Sequence, residues 1–253
     1  MAGRVEKYLL NYICENGAAH LTLIDPEKVT TASAAGTAAM AEKCNTAAIM
    51  VGGSTSISTT HLDNVLKAIK KVVRIPVVLF PNNVTGISRY ADAIWFMSLI
   101  NSLDPYFLVG VQILGAPIVK KYRLEAIPLG YIIVGEGGTA SIIGRAAPIP
   151  FEKPELAVAH ALAAQYLGMR FVYLEGGSGV SKPVPLGMIR MVKSQLSVPL
   201  IVGGGIKTGE QARKAVTSGA DLVVTGTIIE HDNRQSVIQE LIGNVNKAKP
   251  NGG

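Results

Sequence analysis

Residues 171–226 have the sequence FVYLEGGSGVSKPVPLGMIRMVKSQLSVPLIVGGGIKTGEQARKAVTSGADLVVTG, in which short apolar runs alternate with longer mixed segments. The runs at 171–175, 199–203 and 221–226 are apolar at nearly every position, as is typical of parallel strands covered on both faces. The segments at 185–196 and 208–220 have the apolar spacing of amphipathic helices. This alternation of strand and helix predicts a parallel α/β fold.

The same alternation extends through the rest of the chain. Five further apolar runs lie at residues 20–24, 46–51, 76–80, 93–97 and 127–134. Eight strands with intervening helices indicate a closed (β/α)₈ TIM barrel rather than an open sheet. A length of 253 residues suits one such barrel, and we therefore predict a single domain over residues 1–253.

Two connections depart from this regular pattern. Residues 81–92, PNNVTGISRYAD, leave little room for a crossover with a full helix, which needs about 10–12 residues in all. We therefore predict that the third helix is missing or replaced by an extended segment, which opens a groove in the outer wall. Residues 135–154 form a long loop with Gly and Pro after the fifth strand, where lids and substrate contacts are often found.

Composition and charge exclude several classes of protein. Hydrophobic residues make up 48% of the chain and charged residues 17%, which excludes a disordered protein. The net charge of +6 is mild, and the Lys and Arg residues are scattered, so we predict no nucleic-acid partner. An anionic substrate fits this charge better, as does peripheral contact with an anionic membrane surface.

Cysteine content and hydropathy bear on the compartment. Only Cys14 and Cys44 are present, far apart in sequence, so a reducing cytoplasm is expected. The N-terminus lacks the apolar core of a signal peptide, and the most apolar stretch, residues 106–119, is too short to span a bilayer. We therefore expect a soluble, cytoplasmic protein. Exposure of that apolar stretch would also favour a homo-oligomer.

Glycine clusters follow each of the last three predicted strands, in YLEGGSGVS, GGGIKTGEQ and TGTIIE. Glycines allow several backbone N–H groups to converge on one anion, and helices that begin just beyond add their positive N-terminal ends. Any one cluster could be only a tight turn. Three on consecutive strands predict a phosphate site, because loops after the last strands of a barrel recurrently bind phosphate.

A carboxylate and a hydroxyl are expected at the same end of the barrel. Asp25 follows the first strand and Ser54 follows the second. These oxygen ligands suit Mg²⁺, which also binds substrate phosphates, and we predict Mg²⁺ as the cofactor. The alternative is that Asp25 caps a helix that begins at Pro26.

Five motifs occur in a characteristic order: LIDPEK (23–28), VGGSTS (51–56), YLEGGSGV (173–180), IVGGGIKTGEQA (201–212) and VVTGTIIE (223–230). They resemble those of the geranylgeranylglyceryl phosphate synthase family over nearly the whole chain. The resemblance implies transfer of a prenyl group from geranylgeranyl diphosphate to the C3 hydroxyl of sn-glycerol 1-phosphate, with release of diphosphate. That step forms the first ether bond of archaeal membrane lipids. The family's barrel also lacks its third helix.

The resemblance also assigns residues. Asp25 and Ser54 correspond to ligands of Mg²⁺ in that family. The bacterial heptaprenyl branch has a Lys where this chain has Leu23, and the difference places the chain with the larger archaeal branch. The glycerol phosphate contacts of the family correspond to Tyr173, Leu174, Glu175, Gly176, Gly177, Ser178, Gly179, Gly204, Gly205, Gly226 and Thr227.

Two side chains are candidates for catalysis. Glu175 ends the sixth strand just before the glycines, and we predict that it is the general base that takes the proton of the glycerol hydroxyl. Tyr173 lies two residues earlier, on the same face of the strand, and would orient that hydroxyl. The alternatives are a salt bridge for Glu175 and core packing for Tyr173.

The prenyl chain needs an apolar trough. Trp95, Phe96, Met97 and residues 106–114 supply apolar side chains near the predicted gap, although core or subunit-interface positions would explain most of them. Lys182 and Arg145 are basic candidates for diphosphate contacts, but exposed surface positions are the better explanation for both.

Two other functional classes remain open. A phosphosugar isomerase or synthase, of the kind found in histidine or tryptophan biosynthesis, uses the same phosphate loops and paired acidic residues, which Asp25 and Glu175 could supply. A binding or scaffold protein for a phosphorylated ligand would lack turnover. Polar, titratable residues at the barrel mouth favour an enzyme over this last class.

Overall fold

The computed structural model describes residues 2–53, 58–180, 182–226 and 235–248, and eight parallel strands within it form a closed barrel. Each strand pairs with its neighbours in chain order, and the last pairs with the first. The predicted TIM barrel is therefore confirmed, with all eight strands close to their expected positions. The strands are β1 (Ala19–Ile24), β2 (Ala48–Val51), β3 (Val77–Leu79), β4 (Ala93–Leu99), β5 (Glu125–Ile133), β6 (Phe171–Glu175), β7 (Leu200–Gly203) and β8 (Leu222–Thr225).

Helices surround the strands. The described residues contain the helices α1 (Arg4–Asn16), α2 (Thr31–Lys43), α3 (Thr59–Val72), α4 (Val111–Tyr122), α5 (Gly138–Ile143), α6 (Pro154–Tyr166), α7 (Leu186–Lys193), α8 (Gly209–Thr217) and α9 (Gln235–Lys247). Helix α8 begins with a capping box. The Thr208 side chain accepts a hydrogen bond from the Gln211 N–H, and the Gln211 side chain accepts one from the Thr208 N–H.

The connection between β3 and β4 contains a single 3₁₀ turn, Val84–Gly86, in place of a crossover helix. Asn83 begins this turn, and its Oδ1 accepts a hydrogen bond from the Thr85 N–H at 2.8 Å. The third helix of the barrel repeat, which would follow β3, is therefore missing, as predicted. Only two residue pairs join β3 to β4, Val78 with Ala93 and Leu79 with Ile94.

Alternate side chains of the strands fill the barrel interior, and the others pack beneath the surrounding helices. The interior includes Trp95 of β4 and Phe171 of β6, whose ring centroids are 5.2 Å apart in an edge-to-face contact. Both side chains are fully buried. This packing fills the barrel interior towards the amino ends of the strands. A ligand can therefore enter only from the side of the carboxyl ends.

Helix α1 was not predicted from the sequence, and it packs at the opposite end of the barrel from those carboxyl ends. The Glu125 carboxylate accepts hydrogen bonds from the backbone N–H groups of Val5 and Glu6 at 2.7 and 2.8 Å. Arg170 pairs with both carboxylate oxygens of Glu6 at 2.6 and 2.7 Å. These contacts fix α1 to β5 and to the start of β6.

The most apolar stretch of the sequence forms a π-helical turn, Tyr106–Gly110, that continues into α4. Leu108, Val109, Ile113 and Leu114 of this segment point outward and are exposed; we call these four residues the α4 face. Among the residues that the structure describes, no helix combines the length and apolar composition needed to cross a membrane.

Candidate active site

A cavity of about 630 Å³ opens at the carboxyl ends of the strands, a size typical of sites for small-molecule ligands. Its polar side comes from residues that end or follow β1, β6, β7 and β8. Its apolar side comes from residues that follow β3 and from β4 and α4. The polar side includes Asp25, Glu175, Ser178, Gly179, Gly204, Gly205 and Gly226, and the apolar side includes Phe80, Val84, Ile87, Phe96, Met97, Phe107 and Val111.

Glu175 is almost fully buried at the polar side of this cavity, with 7% of its surface exposed. Its Oε1 accepts a hydrogen bond from the Gly177 N–H at 2.6 Å, and the hydroxyl groups of Tyr131 and Tyr173 lie beside its carboxylate. No ion pair of Glu175 is found among the described residues, so the alternative of a structural salt bridge has no support.

Burial raises the pKa of Glu175, while the hydrogen bonds from Gly177, Tyr173 and Tyr131 act in the opposite direction. Burial also raises the pKa of both phenols well above the ordinary value, with a further contribution from the nearby Glu175. The phenols therefore remain protonated, and the carboxylate is the group in this cluster that gains and loses a proton most readily.

The rings of Tyr131 and Tyr173, beside this carboxylate, pack against each other and against Phe80. The Tyr173 ring stacks on Phe80 with centroids 5.7 Å apart, and the Tyr131 ring meets Phe80 edge-on at 5.4 Å. Tyr131 and Tyr173 are also in edge contact at 5.3 Å. Tyr173 packs within the barrel interior and also lines the cavity, so it has the position that both of its sequence-based interpretations require.

The glycines after β7 allow the loops after β6 and β7 to approach closely. Gly204 has a φ of +81°, and a Cβ at this position would overlap the Glu175 carboxylate and the Gly177 backbone. Such overlap explains why side chains are absent from this turn. Gly204 and Gly205 both line the cavity, where a phosphate site would need backbone N–H groups.

The predicted phosphate contacts differ in their positions relative to the cavity. Ser178, Gly179, Gly204, Gly205 and Gly226 line the cavity. Gly176 and Gly177 lie beside it, and Gly177 donates its N–H to Glu175 rather than facing the open space.

Leu174 faces the outer helices, where it is fully buried, so its side chain does not reach the cavity. Thr227 lies outside the residues that the structure describes.

Asp25 lies at the edge of the same cavity, and its residue surface is 8% exposed. Its Oδ1 accepts a hydrogen bond from the Glu27 N–H at 3.1 Å, and its Oδ2 lies 3.4 Å from the Lys28 ammonium. The alternative of a helix cap is wrong, because α2 begins only at Thr31 and is capped by Thr30. Asp25 instead closes a short turn with Glu27.

The donor chemistry at Asp25 fits Mg²⁺ in part. One carboxylate at the mouth of a ligand cavity suits a cation that takes its other ligands from water and substrate phosphates. Among the described residues, no group of three His, Cys, Asp or Glu side chains converges, so a cage built only from protein ligands is not present there. Ser54, the second predicted ligand, lies outside the described residues.

The basic residues at the cavity differ from those singled out in the sequence. Lys28 and Lys207 line the cavity. Arg145 points away and pairs with Asp104 at 3.6 Å, and Lys182 is exposed and absent from the lining. The surface interpretation of Arg145 and Lys182 therefore agrees with their positions.

The apolar side of the cavity lies where the third helix is missing. Trp95, Phe96 and Met97 all contribute to its lining. Within residues 106–114, Phe107, Val111 and Gln112 line it, whereas the α4 face points away from it.

The fully buried His20 has a structural position on the outer side of β1. Its Nδ1 lies 2.9 Å from the Thr46 hydroxyl, and its Nε2 lies 2.9 Å from the Thr225 hydroxyl. Burial lowers its pKa to about 3, so the imidazole stays neutral and bridges β8 and the residues just before β2.

Tyr131, Phe80 and Lys207 are cavity residues that sequence reasoning missed. Tyr131 pairs in register with Tyr173 on the next strand, at the same level of the barrel. The interior alternation Leu129, Tyr131, Ile133 is the signal that could have identified it.

Comparison with known proteins gives consistent results. A family model described as the PcrB family matches residues 11–245. The chain is 52% identical over 252 residues to the geranylgeranylglyceryl phosphate synthase of Thermofilum pendens, with 100% of this chain and 97% of that protein covered. It is 55% identical over 228 residues to the protein of the same name from Pyrococcus horikoshii, with 90% and 89% covered.

A solved structure is also similar over the full length. This is the crystal structure of (S)-3-O-geranylgeranylglyceryl phosphate synthase from Thermoplasma acidophilum in complex with its substrate sn-glycerol-1-phosphate. The TM-score is 0.93 at 39% identity, and the match covers 98% of this chain and 100% of that chain.

Proposed function

The chain belongs to the PcrB family, and on that premise we propose that it is a prenyltransferase that joins geranylgeranyl diphosphate to the C3 hydroxyl of sn-glycerol 1-phosphate. The names of its relatives and the substrate of the similar Thermoplasma structure support this reaction. The observation that carries the proposal is the position of one buried carboxylate, Glu175, between glycine loops and an apolar cavity. Incubation with radiolabelled glycerol 1-phosphate and a panel of prenyl diphosphates, with product chain length as the readout, tests it.

The glycine loops would hold the acceptor. Ser178, Gly179, Gly204, Gly205 and Gly226 offer backbone N–H groups to the phosphate of sn-glycerol 1-phosphate, and Lys207 adds a positive charge on the same side. A phosphate held there places the glycerol backbone next to Glu175 and Tyr173.

Glu175 would then act as the general base. In the reaction the allylic C–O bond breaks and its electron pair leaves with diphosphate. The C3 oxygen of the glycerol bonds to the allylic carbon, and its proton passes to the Glu175 carboxylate. The raised pKa of Glu175 suits this transfer, because a base is most effective when its pKa approaches the working pH. The Tyr173 hydroxyl, next to that carboxylate, would orient the acceptor.

Asp25 would hold Mg²⁺ together with the diphosphate of the donor. When bound, the cation supplies neutralisation of the charge that develops on the leaving diphosphate. Lys28, whose ammonium lies near Asp25 on the cavity wall, would bind the same anion. Ser54, which follows the second strand in the sequence, would be a second ligand of the cation.

The apolar side of the cavity would bind the prenyl chain. An apolar wall lies along the gap where no helix connects β3 to β4. It includes Phe80, Phe96, Met97 and Phe107. Burial of hydrocarbon contributes about 25 cal/mol per Å² of apolar surface, which favours a long chain over a short one.

A phosphosugar isomerase or synthase is not favoured. Such an enzyme would need a second acid or base opposed to Glu175, and Asp25 instead pairs with Lys28 and the Glu27 backbone. The relatives from Thermofilum pendens and Pyrococcus horikoshii, which share about half of the sequence, are both named geranylgeranylglyceryl phosphate synthase.

The first prediction concerns the stereochemistry of the acceptor. We expect a strong preference for sn-glycerol 1-phosphate over the 3-phosphate enantiomer, because a fixed phosphate loop and a fixed Glu175 leave only one enantiomer with its hydroxyl towards the donor. Rates with each pure enantiomer at matched concentration measure this preference. Equal rates would contradict the proposed arrangement.

We also propose that the chain works in the cytoplasm as a homo-oligomer, with one whole chain forming each active unit. The α4 face is the apolar surface that would be covered by another copy. The net charge of +6 favours peripheral contact with an anionic membrane surface, where prenyl donor and product would partition.

The oligomer proposal leads to a second prediction. Ile113→Glu should reduce the mass in solution to that of a monomer, since Ile113 is 64% exposed in the single chain and a charge buried there would oppose association. Light scattering after size-exclusion chromatography measures the mass. Met191→Glu, at a 44% exposed position on α7, is the matched control. A wild-type monomer, or a mutant that stays associated, would exclude this face as the interface.

A further inference from the structure

Glu175, Tyr131 and Tyr173 form a cluster at the polar side of the cavity. The proposed reaction assigns roles to Glu175 and Tyr173 but none to Tyr131. It lies on β5, directly in register with Tyr173 on β6, while Ile133 is in register with Glu175. Both phenols lie beside the Glu175 carboxylate, and Gly177 donates its N–H to Oε1. One N–H group and two phenols thus adjoin one buried side chain.

The Tyr131 ring cannot easily turn away from this position. It is in edge contact with Phe80 at 5.4 Å and with Tyr173 at 5.3 Å, and only 8% of its residue surface is exposed. Its hydroxyl lies beside a carboxylate that is itself almost fully buried, where a hydrogen bond to a charged acceptor is strong.

We propose that Tyr131 is a positioning residue whose hydroxyl donates a hydrogen bond to the Glu175 carboxylate and directs it at the acceptor hydroxyl. This role rests on the proposed function, because it is defined by the proton that Glu175 takes. It also separates the two phenols: Tyr131 serves the base, and Tyr173, which lines the same cavity, is left to contact the acceptor.

The groups that face Glu175 limit what else could set its ionisation. Strand β5 contributes Tyr131, and β6 contributes Tyr173. The turn after β7 contributes glycines, of which Gly204 packs against the carboxylate. The charged groups of the cavity, Asp25, Lys28 and Lys207, line other parts of its wall, and none of them is among the causes of the altered Glu175 pKa.

Tyr131→Phe removes one donor and keeps the ring with its aromatic contacts. Loss of one hydrogen bond to a charged group should raise the midpoint of the acid limb of kcat/KM by about one pH unit, and so lower kcat/KM on that limb about tenfold. The rate on the plateau at higher pH should fall less than this, because Glu175 is ionised there in both proteins. Tyr166→Phe, at a position that is 79% exposed on α6, is the matched control and should leave the whole profile unchanged.

A second measurement does not depend on turnover. In protein labelled with ¹³C at the glutamate carboxyl carbon, the Glu175 resonance is identified by its loss in Glu175→Gln. Its titration midpoint should rise by about one pH unit in Tyr131→Phe. An unchanged midpoint overturns the proposal, as does an equal loss of kcat/KM at every pH. If the wild-type chain lacks prenyl transfer, the proposed function fails, and this titration still decides whether Tyr131 controls Glu175.

Discussion

Glu175→Gln should lower kcat by roughly 10²–10⁴-fold, the usual contribution of a general base. That range corresponds to about 3–5 kcal/mol of activation free energy. Glutamine can still accept the Gly177 hydrogen bond, and the phenol oxygens of Tyr131 and Tyr173 can accept from its amide. The substitution therefore removes the proton acceptor and preserves the shape of the cluster. Steady-state kinetics with saturating substrates measure the loss.

Stability separates this result from a structural role. The folded state binds a proton at Glu175 more tightly than the unfolded state does, because burial raises its pKa. The ionised carboxylate therefore lowers the free energy of unfolding as pH rises through that raised pKa. Glutamine removes this penalty, and Tm at neutral pH should not fall. A lower Tm with preserved kcat would contradict the role of base.

A third result is informative as well. If kcat falls less than tenfold while Tm is unchanged, proton loss is not limiting and Glu175 only orients the acceptor. Glu155→Gln, on α6 with a side chain 61% exposed, is the matched control and should match the wild type in both measurements.

Asp25→Asn should reduce prenyl transfer to the background level, and EDTA should have the same effect on the wild-type protein. A neutral amide oxygen is a much weaker Mg²⁺ ligand than a carboxylate. The amide oxygen can still accept the Glu27 hydrogen bond, so the turn is preserved and only the charge is lost. Calorimetry with sn-glycerol 1-phosphate should show nearly unchanged binding, because the glycine loops are untouched.

The comparison with Asp25→Ala separates the metal from the turn. If Asp25 acts through its charge, Asn and Ala variants should be equally inactive. If it acts only by closing the turn, Asn should retain activity and Ala should not. Full activity in Asp25→Asn would remove Asp25 from the site.

The architecture was predictable because its signals are local. Strands buried on both faces are apolar at successive positions, and residues 81–92 are simply too few to hold a helix with its loops. Helix α1 was missed because it lies outside the repeating pattern. Its attachment depends on Glu125, which is far away in sequence and offers no local signal.

The site was predictable only in part. The acid that ends β6 stands directly before a glycine turn in the sequence, so Glu175 and Gly176 could be identified. The contributions of neighbouring strands depend on register, which a single sequence does not give. Tyr131 was missed for this reason. Leu174 was included as a contact although the two-residue period of a strand turns it away from Tyr173 and Glu175.

The missing third helix has a thermodynamic consequence. Where other segments of the barrel wall have a helix to cover them, β3 and β4 adjoin an apolar cavity and share only two residue pairs. A hydrocarbon chain bound there would cover this part of the barrel in place of the missing helix. Ligand binding would therefore stabilise the folded state. Occupancy at a hundred times Kd would raise the free energy of unfolding by about 2.7 kcal/mol. Release of the hydrocarbon chain would remove this stabilisation. The free energy of unfolding would thus rise and fall once in each catalytic cycle.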